Sequence, residues 1–350
     1  FLYKIKMDAK LKLSIIIPHL KGEKILDDCI KSIIETTYNI DYEIIVVDNN
    51  SQDNSIKKIQ NAYPQVNIID STENRGYAGG CNLGAKHAKG KFLCFLNNDT
   101  QLTQDCFLNM INTIEKNENI ASVQPKIKNY FNKNNFDYAG ACGGYIDYLG
   151  YPFSRGRIFN TIEEDQQQYE SEQKIFWASG TGFITQTRVF NKMGSFDESL
   201  FAHMEEIDYH WKCLLNGYDV YVQPKSTLYH KGGQTLAYGS YKKIYLNHRN
   251  SMILFLTTNQ EISFLKILKR LTLEKIAILF YIIKLDFKGA FAIVYALLWL
   301  LFNISYLFKR KKSVKKLIRN YHPISTALMK NYSIVKNYFL NKKTKFNQLN

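Results

Sequence analysis

The sequence predicts an α/β fold with a mostly parallel sheet and helices on both faces. Short apolar runs at residues 13–18, 41–48, 66–71 and 91–97 alternate with amphipathic segments of about ten residues, a pattern typical of parallel strands joined by helices. The runs are apolar almost without interruption, as expected of strands buried on both faces.

The remaining elements follow from local patterns. Residues 25–38 place Cys29, Ile30 and Ile33 on one helical face. Helices are also predicted at 54–63 and in the glycine-rich segment 74–90. Beyond residue 120 we expect less regular structure, then a strand and short helix at 177–190, a helix at 203–217 closed by Gly217, and a strand followed by a loop at 218–233.

The positive charge lies in the C-terminal part of the chain. The 350 residues carry a formal net charge of +15, and residues 251–350 hold 18 Lys and Arg against 3 Asp and Glu, so the preceding residues are neutral overall. The same region holds apolar runs at 276–285 and 290–308, followed by KRKK. An apolar helix with a basic flank favours an anionic membrane surface, and the sequence predicts no nucleic-acid partner.

We therefore expect a basic, apolar helical region at residues 256–350 that is distinct from the α/β part of the chain. Basic residues flank both ends of the longer apolar run, which fits helices lying in the cytoplasmic leaflet better than a span. A membrane-spanning helix, a buried helical subdomain and an oligomer interface remain alternatives. The six scattered cysteines and the lack of a secretory leader predict a cytosolic compartment.

Polar side chains follow the predicted strands, where an open parallel sheet binds its ligands. They are Pro18 and His19, Asp48 and Asn49, residues 73–75, and residues 97–99. A dinucleotide site would need GxGxxG in the first turn, which contains one glycine, so that interpretation is disfavoured. Asp99 could bind a hard cation that bridges a pyrophosphate, or it could form an Asx turn that caps a helix.

The ordered motifs carry a family resemblance. The segments are LSIIIP, EIIVVDNNSQDNS, NRGYAGGCNLG, FLCFLNNDT, WASGTGFI, GSFDESLFAHMEEIDYHWKCLLNGY and VYVQPKSTLYHKGG. Together they resemble glycosyltransferase family 2, inverting enzymes with the GT-A nucleotide-diphospho-sugar transferase fold, and most closely its rhamnosyltransferase-like branch. The resemblance covers roughly residues 11–255.

The resemblance implies a donor site for a nucleoside-diphosphate sugar. Asp48 would accept a hydrogen bond from the pyrimidine ring of a UDP or dTDP donor. Arg75 would lie near the phosphates or the base, with Gly76, Gly79 and Gly80 allowing close approach of the backbone. The other residues expected at the donor are Pro18, His19, Asn49, Asn97 and Asn98. A helix cap for Asp48 and a surface turn for Arg75 are the structural alternatives.

NNDT occupies the position of the family's DxD motif. Asp99 matches the metal-binding carboxylate, whereas Asn97 replaces the first aspartate and removes one negative charge. His230 matches the histidine that completes the metal site in some relatives, and its alternative is an ordinary polar residue. The resemblance thus implies Mg²⁺ or Mn²⁺ as cofactor.

Glu205, Glu206 and Asp208 match the family's acidic motif at a helix start, where acids are also favoured by the helix dipole. Inverting transfer needs one carboxylate as base, and Glu206 aligns with it, leaving Glu205 and Asp208 as alternatives. Trp177 matches the acceptor pocket, although an aromatic residue there could belong to the core.

The sequence therefore predicts a metal-dependent inverting glycosyltransferase at the cytoplasmic face of the cell membrane. Its donor would be dTDP-rhamnose or a UDP-sugar, and its acceptor a hydroxyl of a glycan or lipid-linked glycan in cell-surface polysaccharide synthesis. A non-catalytic nucleotide-sugar-binding or scaffold protein at the membrane is the alternative.

Overall fold

The computed structural model describes residues 11–232 and 239–349, so Gly233 of the predicted 218–233 segment and Asn350 lie outside the described residues. The strands are β1 Leu13–His19, β2 Tyr42–Asp48, β3 Asn67–Asp70, β4 Phe92–Leu96, β5 Thr100–Leu102, β6 Ile120–Asn129, β7 Gly144–Asp147, β8 Pro152–Ser154, β9 Arg157–Ile158, β10 Thr161–Ile162, β11 Gln173–Ile175, β12 Gly182–Gln186, β13 Asp219–His230 and β14 Met329–Lys330. The helices are α1 Glu23–Thr36, α2 Ser55–Ala62, α3 Gly76–His87, α4 Cys106–Ile114, α5 Thr187–Lys192, α6 Glu205–Leu215, α7 Tyr241–Thr257, α8 Phe264–Ile283, α9 Phe287–Phe302, α10 Ile304–Leu317 and α11 Ile334–Phe339.

The main sheet has the order β11-β13-β6-β12-β4-β1-β2-β3, with β5 paired to β13. The block β4-β1-β2-β3 is parallel, as the alternating pattern predicts. The rest of the sheet is mixed, because β13 is parallel to β6 but antiparallel to β5 and β11, and β12 is antiparallel to both β4 and β6. The strand–helix alternation ends after α4, and with it the connections that keep strands parallel.

Helices cover both faces of the sheet, as predicted. Ile15 and Ile17 of β1 point to one face, where they join a core that includes apolar residues of α1, α2 and α4. Ile16 points to the other face and joins a core shared with α3, α5 and α6. This period-two alternation of buried side chains fixes the register of the strand.

The C-terminal region packs onto the part of the chain that carries the sheet. The proposed boundary at residue 255 falls within α7, and β14 adds a parallel strand to a second sheet of order β10-β9-β8-β7-β14. Phe346 is buried in the main core, and its backbone N–H donates to Glu163 Oε1 at 3.0 Å. Residues beyond 255 therefore help to hold the second sheet in place.

Among the described residues, no single helix combines the length and the apolar composition that a membrane span requires. The helices α9 and α10 meet both conditions only as a pair, and that pair is bent by 76°.

Candidate active site

The carboxyl ends of β1 and β4, the start of α6 and the end of β13 border one cavity of about 1240 Å³. Most of the residues expected from the sequence line it: Pro18, His19, Asn49, Gly76, Asn97, Asn98, Asp99, Trp177, Glu205, Glu206 and His230. The residues that do not line it are Asp48, Arg75, Gly79, Gly80 and Asp208. The cavity thus brings together the acidic motif, the NNDT motif and the histidine from distant parts of the chain.

Strand pairing brings His230 to Asp99. The last residue of β13, His230, pairs with Thr100 of β5, and the backbone N–H of Lys231 donates to the Asp99 carbonyl at 3.0 Å. His230 Nε2 lies 3.2 Å from Asp99 Oδ1, and His230 Nδ1 lies 2.8 Å from Oδ1 of Asp137. Asp137, which the sequence analysis did not single out, orients the imidazole.

The electrostatics of this group suit a divalent cation. Burial alone would lower the pKa of His230, but Asp99 and Asp137 raise it to about 10, so a proton sits where a metal ion could replace it. Burial opposes ionisation of Asp99, yet the His230 charge holds its pKa below the usual value. Apart from its 3.2 Å contact with His230 Nε2, the buried Asp99 Oδ1 has no hydrogen-bond partner among the described residues.

Asp99 and His230 therefore fit a cation as a pair of protein ligands. In the part of the chain that the structure describes, no group of three or more His, Cys, Asp or Glu side chains could enclose a metal. An Mg²⁺ or Mn²⁺ ion here would retain positions for water and phosphate oxygens.

His19 and Asn98 are occupied by a hydrogen-bond chain that crosses the strand ends. The Asn98 side-chain amide donates to His19 Nδ1 at 2.8 Å, and His19 Nε2 lies 2.7 Å from Ser55 Oγ. Burial lowers the pKa of His19, which favours the neutral ring. Both residues border the cavity, but these bonds make them supports of its floor, since their polar atoms already have protein partners.

Asn49 joins the end of β2 to the NRG loop. Its Oδ1 accepts from the Arg75 backbone N–H at 3.0 Å, and its Nδ2 donates to the Gly76 carbonyl at 2.8 Å. Nearby, Asp48 Oδ1 accepts from the Ser51 backbone N–H at 2.8 Å, which fixes that carboxylate. Asn49 therefore shapes the donor end of the cavity through the backbone.

Two donor residues implied by the resemblance need correction. The Arg75 guanidinium forms an ion pair with Glu198 at 2.7 Å, away from the cavity, because Glu198 follows α5 and packs beside α3. A Cβ on Gly79 would lie 2.6 Å from Arg75 Cβ, so Gly79 makes room for the Arg75 side chain. At Gly76, with a φ of +69°, a Cβ would lie 2.2 Å from the Phe201 carbonyl oxygen.

The loop before α6 has an unusual backbone. Phe201, His203 and Met204 have positive φ angles of 65°, 67° and 76°, a conformation that non-glycine residues adopt at an energetic cost. Asn250 of α7 holds this loop, since its Nδ2 lies 2.9 Å from the Leu200 carbonyl, 3.0 Å from that of Ala202 and 2.8 Å from that of His203. The sequence analysis missed Asn250, because only the folded chain brings α7 to this loop.

Glu205 and Glu206 begin α6 at the cavity wall, where Glu205 is buried and Glu206 is half-buried. Burial raises the pKa of Glu206 to about 7, although backbone N–H groups, including that of Gly180, favour its charged form. Burial and the neighbouring Glu206 carboxylate raise the pKa of Glu205 well above its usual value. The raised pKa of Glu205 favours its protonated form, whereas Glu206, with a pKa of about 7, can exchange a proton near neutral pH.

Asp208 must be corrected as a candidate base. It is buried behind the cavity wall, where its Oδ1 lies 2.7 Å from Arg310 Nη2 and accepts from Thr258 Oγ1 at 2.7 Å. Burial opposes ionisation, but Arg310 and Lys212 hold the pKa of Asp208 far below its usual value. A carboxylate so tightly paired is a poor proton acceptor.

Trp177 packs in the core and also lines the cavity, so its position fits both alternatives that the sequence allows. Its indole N–H donates to the Tyr145 carbonyl at 2.9 Å, and its ring packs so closely on Gly144 that a Cβ there would lie 2.0 Å away. Trp177 is almost fully buried, yet it lines the cavity on the way to Glu206.

Comparisons with known proteins agree with this geometry. A poly(ribitol-phosphate) β-glucosyltransferase of Bacillus spizizenii is 32% identical over 113 residues, which are 31% of this chain and 18% of that protein. A GalNAc(5)-diNAcBac-PP-undecaprenol β-1,3-glucosyltransferase of Campylobacter jejuni is 36% identical over 95 residues, 26% of this chain and 30% of the relative. The chain thus spans less than a third of the length of these two relatives.

The fold is also found in solved structures. The structure of GalNAc-T7 with UDP, GalNAc and Mn²⁺ matches with a TM-score of 0.57 at 18% identity, over 72% of this chain and 49% of the other. The model of the family described as Glycosyl transferase family 2 matches residues 14–194, more than half of the 350-residue chain. The chain belongs to glycosyl transferase family 2.

Proposed function

We propose that this chain is a metal-dependent inverting glycosyltransferase that moves a sugar from a nucleoside diphosphate to a hydroxyl group of a glycan or lipid-linked glycan. One observation carries the proposal: Glu206, with a pKa raised to about 7, lines the same cavity as Asp99 and His230. Glu206 Oε2 is buried and has no hydrogen-bond partner among the described residues.

In this mechanism Glu206 accepts the proton of the acceptor hydroxyl while that oxygen forms a bond to the anomeric carbon of the donor. The bond from this carbon to the diphosphate oxygen breaks on the opposite face, so the anomeric configuration inverts. A raised pKa suits the role, because a base is most effective when its pKa lies near the working pH. The raised pKa of Glu205 favours its protonated form, which adds no second negative charge beside the attacking oxygen.

The other end of the cavity must bind the nucleoside diphosphate, which is the leaving group. Asp99 and His230 would hold the divalent cation, which supplies electrostatic stabilisation of the charge that develops on the diphosphate. Asp48, fixed by its bond from Ser51, is our candidate for the ring N–H of the pyrimidine. A UDP-sugar or dTDP-rhamnose would satisfy these groups, and the GalNAc-T7 structure contains UDP and Mn²⁺.

The C-terminal helices support the proposed location and the proposed class of acceptor. Apolar side chains on α8, α9 and α10 are exposed, and we propose that they lie on the cytoplasmic face of the cell membrane as a peripheral or monotopic surface. The most exposed of them are Phe264, Ile283, Phe291, Leu301, Phe302 and Phe308. The Campylobacter relative is named for a diphosphoundecaprenol-linked acceptor, which supports cell-surface glycan synthesis as the role.

A donor panel tests the proposal. The purified chain would be mixed with UDP-sugars and dTDP-rhamnose, with Mn²⁺ or with EDTA, and its Tm measured. One donor is expected to raise the Tm in Mn²⁺ only, and NMR of the transfer product is expected to show an inverted anomeric centre. A retained centre would contradict the mechanism. Donor binding without transfer or hydrolysis would favour the non-catalytic scaffold instead.

A further inference from the structure

The cavity extends well beyond the catalytic residues. Its volume of about 1240 Å³ exceeds the roughly 300–1,000 Å³ of most small-molecule sites. From Trp177 it continues past Tyr148 and Tyr151 into a groove between α8 and α11. The groove is lined by apolar side chains of these two helices: Leu268, Leu273, Ile276, Phe280, Val335, Phe339 and Leu340.

A buried polar cluster fixes the α8 wall. Arg270 and Glu274 form an ion pair at 2.9 Å, and Arg270 Nη1 donates to the Leu149 carbonyl at 2.8 Å. Glu274 also lies 2.5 Å from His248 Nδ1 and accepts from the Tyr151 hydroxyl at 3.1 Å. Because these charged groups turn toward the protein, the apolar positions of α8 face the groove and its mouth.

The second sheet holds the α11 wall of the groove in place. The Ile334 backbone N–H donates to Asp147 Oδ2 at 3.0 Å, which ties the start of α11 to the end of β7. The Phe339 ring lies 6.2 Å from the Phe280 ring across the groove and 5.1 Å from the Phe159 ring. Aromatic side chains from three parts of the chain therefore meet beside the groove.

The acidic side chains of the cavity are grouped at one end, whereas basic side chains, which include Arg157, Lys242 and Lys243, line it more widely. Among the described residues, the acidic side chains that line it are Asp99, Glu205 and Glu206, all at the catalytic end. Along the groove the charged side chains at the surface are Lys269 on α8 and Lys336 on α11, and both are exposed. A ligand with an apolar chain and an anionic head group is complementary to this arrangement.

We propose that the groove binds the isoprenoid chain of a prenyl-diphosphate-linked acceptor. The inference rests on the proposed function and deepens it by placing the lipid part of the acceptor. One narrow groove suits one chain, and its mouth opens beside the exposed apolar residues of α8, so the chain can enter from a bilayer. The lysines lie where they can contact the diphosphate, and the sugar beyond it points toward Trp177 and Glu206.

The test is a calorimetric titration of the full chain with farnesyl diphosphate, with UDP and Mn²⁺ present to fill the donor site. Ile276→Asp places a charge on the groove wall, whereas Ile282→Asp is a matched control on the same helix that does not line the cavity. Both isoleucines are partly exposed, at 52% and 41%, so neither change should unfold the protein. We expect Ile276→Asp to weaken binding by about tenfold or more and Ile282→Asp by less than about twofold.

Equal affinities in the wild type and Ile276→Asp would overturn the groove assignment. If inorganic diphosphate bound as tightly as farnesyl diphosphate, the affinity would come from the head group alone. If oleoyl lysophosphatidic acid bound as tightly as farnesyl diphosphate, the choice of an isoprenoid would be overturned. The titration of UDP and Mn²⁺ by themselves is independent of these outcomes. Failure of UDP to bind would count against the proposed function, while farnesyl diphosphate binding would still report on the groove.

Discussion

Arg310 Nη2 of α10 lies 2.7 Å from Asp208 Oδ1 of α6, and both side chains are buried. The same guanidinium forms an ion pair with Asp197 at 2.8 Å and donates to Thr258 Oγ1 at 3.1 Å. The basic C-terminal region therefore reaches into the helix that carries Glu206. This contact couples the proposed membrane surface to the geometry of the active site.

Arg310→Met should destabilise the fold strongly. The change leaves Asp208 buried without its main cationic partner, and breaking one side of a buried ion pair costs roughly 3–5 kcal/mol. The free energy of unfolding, measured by urea denaturation, checks this. Lys309→Met is the matched control at the adjacent, exposed residue. It should change the free energy of unfolding by less than about 0.5 kcal/mol. Similar losses for the two variants would refute a special role for Arg310.

Glu206→Gln should stabilise the protein at alkaline pH. The folded-state pKa of about 7 lies above the unfolded value of 4.5, so the native state keeps a proton that the unfolded chain has released. Stability that is present below pH 4.5 is therefore lost as the pH rises through 7. At pH 8 the variant should gain on the order of 2 kcal/mol over the wild type, and much less at pH 5.

Glu35→Gln, an exposed position on α1, should show no such pH-dependent gain in the same denaturation experiments. An equal effect of Glu206→Gln at both pH values would mean that the raised pKa of Glu206 is wrong.

Asp99→Ala should remove metal-dependent donor binding. Asp99 offers the anionic oxygen of the proposed cation site, and His230 alone supplies one nitrogen, a weak site for a hard cation. Calorimetry with UDP should show a clear gain in affinity from Mn²⁺ in the wild type and none in Asp99→Ala. Asp41→Ala, an exposed position away from the cavity, should retain the gain. The same wild-type affinity for UDP with and without Mn²⁺ would count against the site.

Phe302→Asp should weaken binding to vesicles that contain phosphatidylglycerol. Phe302 is 84% exposed at the end of α9 and is followed by the basic residues of α10, so it belongs to the proposed membrane surface. Phe131→Asp is the control, because Phe131 is 73% exposed but lies in the catalytic part. Vesicle co-sedimentation should fall for the first variant only. A wild-type chain that stayed monomeric and bound no vesicles would rule out the membrane proposal.

The local elements were predictable because they depend on neighbouring residues. The parallel block β4-β1-β2-β3 and the helix at Glu205–Leu215 follow from apolar periodicity and from the turn at Gly217. The antiparallel placement of β12 did not, because it depends on its pairing with β4 and β6, which lie far from it in the sequence. The motif resemblance singled out Asp99 and His230, and the register of β13 with β5 explains their contact.

The corrected site residues share one physical cause. Arg75 and Asp208 were expected to serve the ligand, but each is satisfied by a partner more than a hundred residues away, Glu198 and Arg310. No short pattern encodes such pairs. Asn250 escaped notice for the same reason, since its backbone partners before α6 lie almost fifty residues earlier.

Turnover of Glu206→Gln tests the central claim most directly, with Glu205→Gln as the neighbouring comparison. If Glu206 is the base, its variant should lose about 10²-fold or more in kcat while UDP and Mn²⁺ bind within about twofold of the wild type. Glu205→Gln should lose far less, because the raised pKa of Glu205 favours its protonated form, which glutamine resembles. An unchanged kcat for Glu206→Gln would contradict the account.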